Sequence, residues 1–140
     1  MASNPSSKAA ARRCRIWIEA LDAAAVRIVV PEIAYYEVSR ELFRVGTKAG
    51  IARLELLISA VDYAAITTEA IHLAAHFWAS VRRAGLPTAD RHALDADCIL
   101  AAQTAFIGGA DDAVTIATEN LGHLTRFPGT DARLWDEIEP

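Results

Sequence analysis

With 140 residues, 53% of them apolar, and a mean hydropathy of +0.19, the chain can bury one proper core and is too apolar to stay disordered. Its net charge of −4 excludes a protein that coats nucleic acid indiscriminately, because such binding relies on neutralising phosphates; a nuclease with a local basic rim stays compatible. No apolar run approaches the roughly 20 residues of a membrane span, and the polar start Met1-Ala-Ser-Asn-Pro lacks the apolar heart of a secretion signal, so a cytoplasmic protein without membrane contact is expected.

Lys8 to Ala25 reads as a helix with Cys14, Trp17, Ile18 and Leu21 as its buried stripe. Lys8, Arg12, Arg13 and Arg15 cluster near its start, either as a solvated face or as a contact for RNA or a partner. Val26 to Val30 is short, β-branched and nearly all apolar, the pattern of a parallel strand covered on both faces. Pro31 then opens a helix over Glu32–Val45, with Ala34, Val38, Leu42 and Val45 assigned to its inner face and Glu37 beside it. Gly46 to Gly50 breaks the helical pattern, and Ile51 to Val61 resumes it. Asp62 to Thr67 reads as a second strand, and Thr68 caps a helix running to Arg83 with Ile71, Ala75 and Trp78 inward. His72 and His76 stand one turn apart on that helix, a spacing open to zinc but lacking an accompanying Glu or Cys, so surface or packing roles are favoured. Cys14 and Cys98 are far apart, form no zinc spacing and read as small core residues.

Gly85 to Ala93 reads as a loop. The following helix, Asp95 to about Ile107, carries Leu94, Cys98, Ala101 and Ala105 along one face. Asp97 falls at the edge of that face in what the pattern makes the first turn. There it is either a cap, as Asp95 also is, or a metal ligand. Ala113 to Ala117 forms a third strand leading into Thr118-Glu119-Asn120, and the tail adds an edge strand around Ala132 to Trp135. Strands alternating with helices predict a parallel α/β sheet with helices on both faces. In that arrangement Glu37, Asp97 and Asn120 all emerge at the strands' C-terminal edge, where open α/β sheets bind ligands. Carboxylates crowded there need a shared cation, and oxygen ligands favour Mg²⁺ or Mn²⁺. Taken alone, Glu37 reads first as a surface partner of Arg40 or Arg44.

Val30-Pro-Glu-Ile-Ala-Tyr-Tyr-Glu37-Val, Leu94-Asp-Ala-Asp97-Cys-Ile-Leu-Ala-Ala-Gln and Ile116-Ala-Thr118-Glu-Asn120-Leu-Gly-His-Leu together resemble a PIN domain, close to the VapC-type toxins. The likeness spans nearly the whole chain in order and spacing. It implies one PIN-like domain over 1–140, a three-layer α/β/α fold with a mostly parallel sheet. The implied activity is Mg²⁺- or Mn²⁺-dependent endoribonuclease cleavage of RNA by metal-activated water. By resemblance Glu37, Asp97 and Asn120 are the metal and catalytic positions, Thr118 supports Asn120, and Asp95 is an additional candidate that fits a cap better than a ligand. Arg40, Arg44, Lys48 and Arg53 are candidate RNA contacts, and a homodimer and an antitoxin protein are implied partners.

PIN domains open with a central apolar strand ending in Asp-Thr or Asp-Ser, and here Met1 to Pro5 corresponds to the loop after it. The expectation is that the natural protein carries that strand and acid upstream of Met1. Without them the chain would be a catalytically silent PIN-fold module that binds RNA or a protein partner. A flavodoxin-like phosphate binder ranks lower, for want of a glycine loop.

Overall fold

The computed structural model describes residues 5–85 and 91–140. The elements follow as α1 (Pro5–Ala23), β1 (Val29–Pro31), α2 (Glu32–Val45), α3 (Lys48–Ala60), β2 (Asp62–Ala64), α4 (Thr68–Arg83), α5 (Arg91–Thr104), β3 (Thr115–Thr118), α6 (Leu121–Leu124), β4 (Asp131–Leu134) and a closing 3-10 turn, Trp135–Glu137. The protein is thus mixed α/β with parallel strands. The single sheet expected from the sequence is instead two two-stranded sheets among the described residues, β1 with β2 and β3 with β4. Val29 pairs with Asp62 and Pro31 with Ala64 in one, Thr115 with Asp131 and Thr118 with Leu134 in the other.

Local chemistry explains where the elements depart from expectation. Ala25 takes a left-handed φ of 58°, so the chain is still turning where the strand was expected, and β1 begins three residues after Val26. β2 stops at Ala64 rather than Thr67 because the Glu32 carboxylate captures the Ile66 N–H at 2.8 Å. Thr47 caps α3 by accepting from the Gly50 N–H at 3.2 Å, so the helix starts inside the stretch read as a break. Gly46, at φ 74°, ends α2 with its N–H on the carbonyls of Leu42 and Phe43. Thr67, one residue before the expected cap, receives the Ala70 N–H and starts α4. Residues 86–90 of the expected loop lie outside the described residues, while Arg91 to Ala93 are already helical, which sets Asp95 and Asp97 beyond the first turn of α5.

The core forms around α5. Leu94, Cys98, Ala101 and Ala102 pack with Ala74, Val81, Ile116, Leu124 and Phe127. Two helices bury a different face from the one expected. On α4 the buried residues are Ala70, Ala74 and Val81, while Ile71 and Trp78 are exposed. On α2 they are Ile33 and Ser39, with Val38 48% and Val45 60% exposed. Small side chains let α4 approach α5 closely, which decides between two comparably apolar stripes. Gln103, 2% exposed, joins three elements: its side-chain amide donates to the Ala64 carbonyl, and its carbonyl oxygen accepts from the Ile33 N–H at 3.5 Å.

A cavity of about 460 Å³ lies between the two sheets. Val29 and Pro31 line it from β1, Thr115 and Ala117 from β3, Trp17 and Leu21 from α1. Leu100 and Thr104 of α5 line it as well.

Candidate active site

Asp97 sits in the second turn of α5, one residue before the buried Cys98, and its side chain keeps only 21% of its surface in water. α5 is anchored by its apolar face, so the backbone, not a loop, fixes where this carboxylate stands. β3 ends at Thr118, and Asn120 follows it immediately ahead of α6. The Asn120 N–H donates to Thr118 Oγ1 at 3.0 Å, which folds the loop back on the strand end. Three residues on, His123 Nδ1 lies 3.0 Å from Asp97 Oδ2 and 3.4 Å from Asn120 Nδ2.

These three side chains form one constellation on two elements. Nδ1 can donate to Asp97 or accept from Asn120, not both; an ionised Asp97 only accepts, so the Nδ1–H tautomer is the one that fits. Turning the Asn120 amide over would present its oxygen instead. Burial pushes the Asp97 carboxyl above its ordinary range, opposed by the charge and hydrogen bond of His123 and by Arg126. The cost of taking the charge out of water therefore exceeds what its neighbours return, and the site favours an added cation. The same negative charge, with burial as the larger cause, pushes the Cys98 thiol up to about 11.

The other expected residues make different contacts. Glu37 is bound by Arg40 at 2.6 Å, the surface pairing, and no hydrogen bond or ion pair joins it to Asp97 or Asn120 among the described residues. Asp95 is exposed on α5 and, lying in the helix interior, is no cap. Arg44 is taken by Glu41, with Nε 2.9 Å from Oε2, whereas Lys48 and Arg53 are exposed on α3. His72 and His76 are both exposed on α4. Among the described residues no group of three or more His, Cys, Asp or Glu side chains is close enough to hold a metal ion.

Sequence reading passed over His123 and Arg126. The available signal was spacing: a histidine three residues after Asn120 shares its side of the next helical turn. No protein-family model matches the chain, and no match was found among curated proteins or solved structures.

Proposed function

We propose that the protein is a metal-dependent endoribonuclease of the PIN type, built as the three-layer α/β/α fold that the sequence resembles. The observation that carries this reading is Asp97, a carboxylate drawn out of water on a rigid helix and raised in pKa by that burial, with Asn120 and His123 converging on it. The donor chemistry fits a hard divalent ion. Asp97 offers anionic oxygen and Asn120 a neutral carbonyl; Glu37, the second carboxylate that the resemblance implies, would have to leave its exposed ion pair with Arg40 to join them. Mg²⁺ or Mn²⁺ held there would acidify a water and neutralise charge on a phosphodiester.

The protein's own groups have the remaining tasks. Asp97 orients the imidazole of His123 and holds it on the Nδ1–H tautomer, leaving Nε2 to exchange a proton at the site's edge. Thr118 sets the direction of Asn120 through its backbone. Lys48 and Arg53, exposed on α3, supply cationic contacts to RNA. Exposed Tyr36, Phe43 and Val45 on α2 and Leu56 on α3 support a protein partner, a second copy or an antitoxin.

The test is cleavage of RNA with Mg²⁺ or Mn²⁺, compared with metal-free reactions. Activity should depend on the ion and disappear in Asp97→Ala with folding retained. Cleavage by that variant at the parent rate would remove Asp97 from the reaction. The second reading, a silent RNA- or protein-binding module, is favoured by the engagement of Glu37 with Arg40 and would be left standing by RNA binding without ion-dependent cleavage.

A further inference from the structure

We infer that the outer face of α1, carrying Lys8, Arg12 and Arg15, grips the phosphates of single-stranded RNA and feeds the strand toward the loop of Asn120. The choice of RNA rests on the ribonuclease reading above, while the face itself rests on three observations.

The first is charge separation along one helix. Lys8, Arg12 and Arg15 follow one another by about a turn, so they share one side of α1, and all three are exposed. From Pro5 to Ile18 the helix has no acid, and Glu19 and Asp22 come only in its last part. A helix favours the opposite order, because its N-terminal end is positive and its C-terminal end negative. The arrangement works against the helix and in favour of an anion outside it.

The second is that these cations are uncommitted. The ion pairs among the described residues join Arg27 to Asp62, Arg40 to Glu37, Arg44 to Glu41, His123 to Asp97 and Arg133 to Asp131. None of them reaches α1, although the chain has 18 acids for its 14 Lys and Arg. Even Asp136 and Glu137, in the 3-10 turn that packs on α1, make no ion pair with it among the described residues. An acidic protein thus keeps a patch of free positive charge on one helix, where it can neutralise phosphates.

The third places the face beside the candidate site. Arg13, on the flank of the same turn, lies over the Trp135 ring at 6.0 Å. Trp135 directly follows Leu134, which pairs with Thr118 at the end of β3, and Asn120 leaves from that same end. Burial, and after it the charge of Glu119, raises the Cys14 thiol, so the middle of α1 stands within electrostatic reach of the Asn120 loop. From Lys8 to Arg15 the helix rises about 10 Å, which lets three side chains meet phosphates of one strand ahead of that loop.

The experiment measures binding of a labelled single-stranded RNA of about 12 nucleotides to the full chain in EDTA, so that no cleavage intervenes, from about 0.1 to about 1 M salt. Each phosphate contact adds about 0.7 to the steepness of log K against log salt for a single strand. The combined variant Lys8→Gln, Arg12→Gln and Arg15→Gln should therefore flatten the slope by about 2 and weaken binding about a hundredfold at 0.1 M. Arg12→Lys with Arg15→Lys should keep the slope, since a phosphate met as a point charge accepts either cation. Circular dichroism checks that each variant is folded. A parent slope shallower than about 2, or a combined variant that keeps the parent's slope, overturns the proposal. Equal affinity of the parent for a polyglutamate peptide overturns it too, because the face would then serve anions in general. RNA bound with this slope yet left uncleaved when Mn²⁺ is supplied would sink the ribonuclease reading while upholding the α1 face.

Discussion

Replacing Asp97 by Asn should stabilise the fold while ending metal binding. The asparagine keeps the shape and still accepts the His123 Nδ1–H, so what changes is charge. Losing the ionic part of that 3.0 Å bond costs about 1 kcal/mol. Burial outweighs it, since the Asp97 carboxyl is raised despite His123 and Arg126. The net expectation at pH 7 is therefore a variant more stable than the parent. The sign fixes a pH signature. A raised carboxyl binds its proton more tightly in the folded state, so the parent's advantage is complete below the ordinary value of 3.8 and is lost as pH rises through the higher folded value. The variant has no such loss, and the gap between the two should open from about pH 4 upward. Adding Mn²⁺ at a hundred times its Kd should then raise the parent by about 2.7 kcal/mol and leave the variant unmoved. Urea titrations at several pH values, with and without the ion, measure all of this. A variant that is more than about 1 kcal/mol less stable at pH 7 would make Asp97 a structural partner of His123 and refute the reasoning.

Gln103→Met keeps the side chain's length but strands the Ala64 carbonyl and the Ile33 N–H, and should cost about 2–4 kcal/mol in urea unfolding; a loss under about 0.5 kcal/mol would show that these bonds hold nothing. Ala25→Gly relieves a left-handed residue and should add about 0.5–1 kcal/mol in the same assay, whereas a loss would mean that the φ of 58° is not the solution conformation. Cys98, buried and pushed up to about 11, should resist iodoacetamide at pH 8 in the folded protein while the half-buried Cys14 reacts first; two fast thiols would contradict the burial of α5.

Much of this architecture was legible because it depends on local rules. The α2 boundaries, Glu32 to Val45, follow from Pro31 at one end and Gly46 at the other, and β1 and β3 fall within or at the end of β-branched runs. Parallel pairing follows from the helices between them. Less legible was anything decided by a distant partner. The apolar stripe Ile71, Ala75 and Trp78 is as regular as the one α4 buries, and only the close approach of α5 selects Ala70, Ala74 and Val81. The length of β2 depends on a carboxylate thirty-four positions earlier in the chain. At the candidate site the sequence pointed to Asn120 because it follows a strand end, and to Asp97 through a first turn that the structure starts earlier, at Arg91. It missed His123 because its spacing from Asn120 was the only signal, and its partner Asp97 lies twenty-six residues earlier on α5.

Trp17 ties the two ends of the described chain together. Its indole N–H donates to the Ile138 carbonyl at 2.9 Å, its ring meets Trp135 edge-on at 5.6 Å, and Arg13 lies over Trp135 at 6.0 Å. The last few residues therefore act as a doorstop for α1. Trimming the polypeptide after Leu134 would release the helix that roofs the gap between the sheets, so damage at one terminus would be felt first at the other.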